Sequence, residues 1–542
     1  MTAHPMLYCL GGLPCMAIQP SYRRYPVWVS IVINVEICEL MNSILFAASR
    51  FWRQGLAVLL TLGVAGCAVG PDYQPPTPPL GVDAPAFKES RIWTLASPAV
   101  AAADGTWWQA YGDPRLDALV EQAGQANQTL AQAQAQYRQA QALLQGARAA
   151  YYPTVGIDVS GTRARTITGG VSSLGNSHAW SLQASWEPDL WGGVRRGVEA
   201  VGDNAQASAA DLAAARLTVQ AAVVNGYLQL RLDDEQQALY AKTIESYRKA
   251  LALTQAQHRA GVATGADVAL AQNTLASAQA EMIDLDLTRR QLEHALAVLL
   301  GRTPGAFSLP VAPLTAKLPA MPPGLPSQLL ERRPDIAAAE RRVAAANARI
   351  GVARAAYFPN LTLGASGGYQ GSGFGPWFLE PGRVWALGVV LAETLFDGGA
   401  RGAQVEQARA ALDEAAASYR QTVLSGFQEV EDNLAALTDL ARERVAQDEA
   451  ARAAHESARV LLAQYREGTV PYTSVVTAQT LALTADRAVL QLRARQFAAS
   501  VALIKAVGGG WDRSQLADVA SASPLPLDAA SSTGVTRQSS NK

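Results

Sequence analysis

The chain is poor in cysteine and in charged residues. Its 542 residues include four cysteines, Cys9, Cys15, Cys38 and Cys67, so the body after residue 67 can form no disulfide framework. Charged residues make up 17% of the sequence, against about 25% in an average soluble domain, and the formal net charge is −1. This balance argues against a nucleic-acid-binding protein, which would show a basic patch or a raised pI.

Long apolar runs are missing as well. After Cys67 no uninterrupted run reaches the length of about 18 apolar residues that a membrane-spanning helix needs, so the sequence predicts no transmembrane helix in the mature chain. A chain of this kind can cross a membrane only as a closed β-barrel, because every backbone polar group must be hydrogen-bonded inside lipid.

Catalytic and metal-binding motifs are also absent from the sequence. The five histidines are scattered without metal-ligand spacing, and no glycine–lysine dipeptide occurs, which excludes a P-loop. The letters GASGG at 364–368 match a nucleophile elbow, but they lie in an alternating segment with no helix after it. We therefore expect no enzyme, no catalytic residue, no metal site and no cofactor.

The N-terminal region has the form of a secretory signal over residues 41–66. Arg50 and Arg53 precede a short apolar core, LAVLLTLGV, which is too short to span a bilayer. The letters LGVAGC that follow resemble a bacterial lipobox, in which Cys67 is lipidated and becomes the first mature residue; an ordinary signal peptide is the alternative. Residues 1–40 fit no part of this scheme and are interpreted as sequence upstream of the true start, with a genuine extension as the alternative.

The rest of the chain contains an internal repeat. Three landmarks recur in the same order at nearly constant spacing, which indicates two copies of one unit joined by a proline-rich linker. ARAAYYP at 147–153 returns as ARAAYFP at 353–359, DLWGG at 189–193 as TLFDGG at 394–399, and RAG at 259–261 as REG at 466–468.

Each copy begins with a helix and two alternating segments. The helices, predicted over 116–150 and 334–356, end at Tyr-Tyr-Pro or Tyr-Phe-Pro because proline disfavours a helical residue before it. Segments of period two follow, and a Gly/Ser-rich loop is expected at 168–177. Such segments are the size of membrane-spanning strands, although two hairpins on a soluble sheet would show the same pattern. Four tryptophans could anchor the strands at a membrane interface, namely Trp180, Trp186, Trp377 and Trp385.

The third part of each copy is a very long helix, over 194–259 and 401–466. Neither stretch contains proline, and the apolar residues of the second are spaced like a coiled-coil seam. A helix of this length extends for roughly 100 Å. Returning helices are predicted over about 267–300 and 474–507. These helices are too long for a compact core, so they form a tube or a rod.

The number of strands implies an oligomer. Four strands per chain cannot close a barrel, since small barrels need about eight. Two chains would supply eight strands and three would supply twelve. The long helices must project to one side of the membrane, into the periplasm to which the signal leads.

These residues resemble a known family, the TolC-like outer-membrane efflux factors, and within it the OprM/NodT-type lipoproteins. The resemblance implies an α+β membrane fold with four strands per chain in a trimeric twelve-stranded β-barrel, plus a long periplasmic coiled-coil tunnel. It implies a homotrimer in outer-membrane lipid, a periplasmic adaptor (membrane fusion protein), an inner-membrane resistance-nodulation-division pump, and a passive exit duct for drugs or small molecules. The matching segments are CAVGPDY at 67–73, WWQAYGDP at 107–114 and LERRPDI at 330–336.

The turns after the long helices are the expected periplasmic tips. Gly261 and Gly468 fit helix C-caps, and Asp267, Thr473 or Ser474 could cap the returning helices. By their own pattern these are simple helix–helix turns, whereas the resemblance assigns them to adaptor docking. The docking residues it implies are Arg259, Gly261, Thr264, Asp267, Val268, Arg466, Gly468, Thr469, Tyr472 and Val475.

The resemblance also places the channel constriction at these tips, with one departure. Relatives often carry inward carboxylates after the second turn, where this chain has Ser474 and Thr477, while Asp267 retains an acid after the first turn. We therefore expect weaker cation selectivity than in channels with two acidic rings.

The expected organisation leaves two other functions open. A duct for type I protein secretion is one, although the lipobox and the GPDY motif favour efflux; a periplasmic coiled-coil adaptor or scaffold is the other, although it would usually have one helical hairpin.

The expected segments are a doubtful extension (1–40), a signal peptide (41–66), a lipidated segment (67–115), repeat 1 (116–303), a linker (304–332), repeat 2 (333–510) and a disordered tail (511–542).

Overall fold

The structure is a computed structural model that describes residues 69–77, 79, 87–89, 105–319, 329–373 and 382–516. All of these belong to one unit, Cys67–Lys542. The predicted extension and signal peptide, Cys67, Trp377 and most of the predicted tail lie outside the described residues.

The described elements occur in the order expected for a duplicated unit. A short helix, α1 (Pro114–Ala126), comes first, after a helical turn at Trp107–Tyr111. Repeat 1 contains α2 (Gln128–Ala149), β1 (Thr154–Thr168), β2 (Val171–Trp186), α3 (Gly193–Arg259) and α4 (Gly265–Leu299). After single turns at Pro304–Ala306 and Leu329–Arg332, repeat 2 contains α5 (Pro334–Ala355), β3 (Asn360–Gly371), β4 (Arg383–Ala392), α6 (Ala400–Arg466) and α7 (Tyr472–Ala506), followed by a turn at Arg513–Leu516.

Corresponding helices of the two repeats have equal lengths. Helices α2 and α5 each have 22 residues, α3 and α6 each have 67, and α4 and α7 each have 35. Because the lengths match throughout, the two helical hairpins extend equally far from the strands.

The helix predicted over 116–150 is in fact two helices, which corrects the sequence interpretation. Asn127 interrupts it: its side-chain oxygen accepts from the Leu130 N–H at 3.0 Å and caps α2. The Asn127 amide also donates to the Leu299 carbonyl at the end of α4, at 2.8 Å. The break is therefore stabilised by a distant carbonyl that no local pattern reveals.

The predicted loop at 168–177 is also wrong. Strands β1 and β2 continue to a two-residue turn, Gly169-Gly170, and pair without interruption from Thr168↔Val171 to Thr154↔Ser185. Both turn glycines have positive φ angles, 61° and 84°, as a tight two-residue hairpin turn requires. The small polar residues that suggested a loop are strand residues.

The helices pack as expected for a tube wall, but not equally in the two repeats. Helix α5 lies between α3 and α6, and most of its residues are buried. Helix α2 packs along α3, and Leu130 is its one buried residue. In α6 the predicted seam is buried at Val423, Val430 and Leu434, whereas Val445 is 72% exposed.

One stretch of α3 has a mean hydropathy of 1.2 and would be apolar enough to cross a membrane by length and composition alone. This finding departs from the expectation that no such segment occurs. Val223, Val224 and Leu228 of this helix are nearly fully buried against neighbouring helices, so packing accounts for its apolar content.

A buried ionic network fixes the linker to the first repeat. The Asp234 carboxylate binds Arg231 at 2.8 Å and Arg289 at 2.7 Å, and all three side chains are at most 9% exposed. The two arginines also donate to the carbonyls of Pro310 and Leu309, at 2.8 and 2.7 Å. The network therefore fastens the linker across α3 and α4.

The N-terminal segment 69–77 lies along α5 near the base of the strands. The Val69 N–H donates to the Trp191 carbonyl at 3.2 Å, and Asp72 forms an ion pair with buried Arg196 at 2.7 Å. The Tyr73 hydroxyl donates to buried Glu340 of α5, which also binds Arg513 from the C-terminal end of the described chain at 2.9 Å. Both ends of the described chain thus meet on one side chain.

Candidate functional site: the helical tips and the strand sheet

The first tip joins α3 to α4 through two matched caps. Gly261 has a φ of 79°, and its N–H donates to the His258 carbonyl at 3.0 Å, which confirms it as the C-terminal glycine. Thr264 is the N-cap of α4: its hydroxyl accepts from the Asp267 N–H at 3.1 Å, and the Asp267 carboxylate accepts from the Thr264 N–H at 2.9 Å. Asp267 is therefore the third helical residue of a capping box and not the N-cap itself.

The second tip joins α6 to α7 and ends α6 in the same way. Gly468 has a φ of 76°, and its N–H donates to the Tyr465 carbonyl at 3.0 Å. Helix α7 begins differently, because Pro471 occupies the N-cap position without a side-chain cap. The prediction that Thr473 or Ser474 caps this helix is therefore wrong; proline fixes the entry angle instead.

The two hairpins pack on each other at the tips through an aromatic core. The rings of Tyr465 and Tyr472 lie 5.2 Å apart, and Ala250, Ala271 and Val475 complete the cluster. Burial raises the pKa of Tyr472 to about 12. Tyr472 is 2% exposed and Val475 is 0% exposed, so these two predicted docking residues support the tip from inside and offer no surface to a partner.

The solvent-facing side of the tips is formed by the other predicted residues. Arg259, Thr264, Arg466 and Thr469 are exposed, while Val268 is half-buried. Val262 is 70% exposed at the first turn and was missed by the sequence interpretation, although an apolar residue after the C-terminal glycine was the available signal. Two exposed arginines and an exposed valine thus lie at the turns of the hairpins.

The predicted constriction residues lie in the first turns of the returning helices. Asp267 is partly exposed, and its carboxylate is held by the Thr264 hydroxyl at 2.7 Å. Ser474 is half-buried, and exposed Thr477 donates its hydroxyl to the Thr473 carbonyl at 2.9 Å. One of the two tips therefore carries an acid at this depth, and the other carries hydroxyls.

The four strands form one antiparallel sheet in the order β1-β2-β3-β4. In the described chain, β1 and β4 each pair on one side, so each leaves an edge of unpaired backbone groups. Every residue of β4 is exposed on both faces. A sheet with two free edges and an apolar surface needs a further partner.

The two faces of the sheet differ in polarity. The register places aliphatic side chains on one face, including Ile157, Leu182, Leu363 and Leu387, of which Ile157 is 68% exposed and Leu387 is 75% exposed. The opposite face is mostly small and polar, with Asp158, Ser160, Ser181, Gln183, Thr362 and Ser366.

Aromatic residues bound the apolar face. Trp180 stacks on Tyr369 with ring centroids 5.5 Å apart, and Trp385 lies one register row away, 71% exposed. Trp186 lies toward the helices, where its indole donates to the Tyr151 carbonyl at 3.1 Å. From Leu361 to Tyr369 the strand spans about 27 Å, or about 20 Å in height at the tilt usual for such strands. The described part of the chain thus has an apolar band about 20 Å high, somewhat less than the roughly 25 Å band usual for membrane barrels, with aromatic residues near both ends.

Within the described residues no group of histidine, cysteine and acidic side chains could hold a metal ion. The long helical hairpins and the sheet with one apolar and one polar face are suited to forming the wall of a passage.

Comparisons with known proteins agree with this geometry. A family model described as outer membrane efflux protein matches residues 119–302 and 325–509, one match in each repeat. The pyoverdine export outer membrane protein OpmQ of Pseudomonas putida is 33% identical over 470 residues, 83% of this chain and 96% of that protein. The outer membrane protein OprJ of Pseudomonas aeruginosa is 32% identical over 464 residues, 84% of this chain and 95% of that protein.

A solved structure shows the same architecture. The open state of the MtrE outer membrane channel of Neisseria gonorrhoeae is similar over 82% of this chain and 99% of that chain, with 28% identity and a TM-score of 0.73.

Proposed function

The chain belongs to the outer membrane efflux protein family, and from this premise we propose that three copies of it form the exit duct of a tripartite efflux pump. Its fold is TolC-like, with a helical tunnel and a strand barrel, and it functions as an outer-membrane efflux channel. The observation that carries a closed ring of copies is the four-stranded sheet with two free edges, which pair between neighbouring copies in such a ring; three copies, the number that the family resemblance implies, supply twelve strands.

Three chains would also arrange the helices as a continuous tube. The hairpins of both repeats have equal lengths, so a trimer would present six tips at one level. The polar face of the sheet would line the barrel, and the apolar face would contact lipid. The duct is passive, because the family is a channel family; the energy for transport would come from a pump in the inner membrane.

This proposal is tested on the purified full-length protein. We expect a trimer that dissociates to monomer on heating in SDS, and stepwise conductance when it is added to a planar bilayer. A protein that stays monomeric in detergent and forms no pores would refute the proposed duct.

Cys67 is the proposed site of lipidation. Val69, two residues later, donates its N–H to the Trp191 carbonyl at the base of the sheet. Cys67 therefore lies near this base, which supports an anchor in the membrane leaflet nearest the helices. Mass spectrometry of the N-terminal peptide should show a diacylglyceryl and acyl modification that Cys67→Ser abolishes. An unmodified N-terminus at another residue would contradict it.

The adaptor is proposed to dock on the exposed side of the tips. A photoreactive amino acid at Thr264 or Thr469 should crosslink to a periplasmic adaptor protein, and through it identify the pump. The same probe at Glu406, an exposed position near the opposite end of α6, serves as the control. Equal crosslinking from Glu406 and from the tips would contradict tip docking.

The acidic position at the first tip predicts modest cation selectivity. Three Asp267 carboxylates at the mouth would favour cations, but Ser474 and Thr477 add no second acidic ring. Reversal potentials in a salt gradient should show a weak cation preference, and Asp267→Asn should reduce it further because it removes the charge. The amide oxygen can still accept the cap hydrogen bond, so the turn is kept. Asp439→Asn, on the exposed part of α6, is the control; a strong cation preference unaffected by Asp267→Asn would contradict the prediction.

A further inference from the structure

The contact between the two repeats within one chain contains an aromatic stack, which we call the internal joint. It lies where β2 ends and β3 begins. The Trp191 ring stacks on the Phe358 ring with centroids 4.9 Å apart and planes at 21°. The Trp191 indole N–H also donates to the Pro359 carbonyl at 2.7 Å. Trp191, which follows β2, thus contacts Phe358 and Pro359, which precede β3.

The duplicated sequence provides the two halves of the same joint a second time, but far apart. Tyr152-Pro153 before β1 corresponds to Phe358-Pro359, and Leu395-Phe396 after β4 corresponds to Leu190-Trp191. Phe396 is 88% exposed and Tyr152 is 71% exposed. They lie at the bases of β4 and β1, the two outer strands of the sheet, so they cannot repeat the internal joint within one chain.

The helices show the same incomplete repeat. Helix α5, beside the internal joint, lies between α3 and α6 and is mostly buried. Its counterpart α2 packs along α3, and its other side is open in the described chain, with Leu143 61% exposed. The α2–α3 contact corresponds to the α5–α6 contact, so the uncovered side of α2 corresponds to the side of α5 that α3, the long helix of the preceding repeat, covers. Strand edge, aromatic pair and helix face therefore all lack the same kind of neighbour.

We propose that a second copy of this chain supplies that neighbour, with Phe396 of one copy stacked on Tyr152 of the next and α6 of one copy packed on α2 of the next. This contact, the subunit joint, rests on the proposed trimer. It joins different surfaces of the two copies, β4 to β1, so it closes only as a ring. Because the subunit joint reuses the geometry of the internal joint, the contacts between neighbouring strand hairpins would be nearly equivalent around a trimer. There would be six of them, three within the chains and three between chains.

One difference separates the two joints. The Trp191 indole donates a hydrogen bond, whereas the Phe396 ring has no donor. Stacking then holds the subunit joint without the hydrogen bond, so it should be the weaker joint. A tryptophan at position 396 could restore the bond by donating to the Pro153 carbonyl of the next copy.

Cysteine crosslinking in the full-length channel tests the subunit joint. The chain has no native cysteine beyond Cys67, so introduced thiols have no competitor in the mature body. The double variant Tyr152→Cys/Phe396→Cys, treated in outer membranes with a short bifunctional maleimide, should give covalent dimers and trimers in denaturing SDS gels. Each single variant should remain monomeric.

The matched control keeps the cysteine at position 396 and moves the second cysteine from the start of β1 to the start of β3. Phe358→Cys/Phe396→Cys pairs the β4 base with the start of the inner strand β3 and should give no linked oligomers. Equal linkage from both pairs, or linkage of the Tyr152 pair within one chain, would overturn the proposal. If the native trimer and its pores persist while the Tyr152 pair links no better than the control, the subunit joint is wrong and the proposed duct stands. If trimer and pores are both absent, both proposals fail.

Thermal dissociation of the trimer in SDS gives a second readout. Phe396→Ala should lower the dissociation temperature by several degrees, and Phe396→Trp should raise it. Unchanged dissociation of both variants would also overturn the subunit joint.

Discussion

Replacing Asp234 with alanine is expected to lower the free energy of unfolding by about 3–5 kcal/mol. The carboxylate is buried between Arg231 and Arg289, at 2.8 and 2.7 Å, and it also accepts from the Ala312 N–H of the linker at 3.2 Å. Its removal leaves buried Arg231 without an anion and leaves Arg289 with Glu293 alone, at 3.1 Å. The cost of an unpaired buried charge exceeds that of a lost contact. Urea unfolding of the detergent-solubilised protein should show the loss.

The matched control for Asp234 is Asp286→Ala on α4. Asp286 also forms an ion pair with an arginine, Arg290, at 3.0 Å, but both side chains are 57% exposed. An exposed helical pair contributes about 0.5 kcal/mol or less. Similar losses from the two variants would contradict the argument, because burial is the one feature that should separate them.

Glu340→Gln is expected to release both ends of the described chain and to destabilise the protein by about 2–3 kcal/mol, since a hydrogen bond to a buried charged group is lost or weakened. Glu340 accepts from Tyr73 in the N-terminal segment and from Arg513 near the C-terminal end, and it pairs with Arg341 at 2.6 Å. Limited proteolysis should cleave before residue 77 and after residue 510 faster in the variant.

The effect of Glu340→Gln should also depend on pH. Burial alone would raise the pKa of Glu340, but hydrogen bonds from Arg341 and Tyr73 outweigh it and lower the pKa below its usual range. A lowered pKa in the folded state contributes stability above the unfolded value of about 4.3, and that stability is lost as the pH falls. The difference between native protein and variant should therefore be full at pH 7 and shrink below about pH 4.

Glu456→Gln is the control for this second variant. Glu456 pairs with Arg459 at 2.6 Å, but the two side chains are 60% and 70% exposed. Its substitution should change neither the proteolysis pattern nor the pH dependence. A pH-independent loss in Glu340→Gln would refute a role for the charge.

The sequence predicted the repeat, the long helices and the C-terminal glycines because these depend on local pattern. Gly261 and Gly468 have the positive φ angles expected of residues that end a helix. The break at Asn127 escaped prediction because its amide partner, Leu299, is far along the chain. Residues 171–177 were read as a loop because they are small and polar, yet their register is set by pairing with β1.

The tip residues show where local pattern fails for the site. Tyr472 follows a turn, where an exposed residue is expected, but it packs on Tyr465 of its own hairpin and in a cluster with Ala250 and Ala271 of the other hairpin. The cluster around Asp234 was missed for the same reason, since Arg289 lies 55 residues away in sequence. Contacts between separate helices decide both positions.

The equal helix lengths limit how this gene can change. Helices α3 and α6 have 67 residues each, and their returning partners have 35 each. A deletion of one heptad from α3 alone would leave its returning helix about two turns too long, and a deletion from one whole hairpin would raise one tip above the other. Insertions and deletions in the helices should therefore be tolerated only as sets of four, one in each of α3, α4, α6 and α7. Substitutions face no such condition, so the chain can diverge widely in sequence while its length stays fixed.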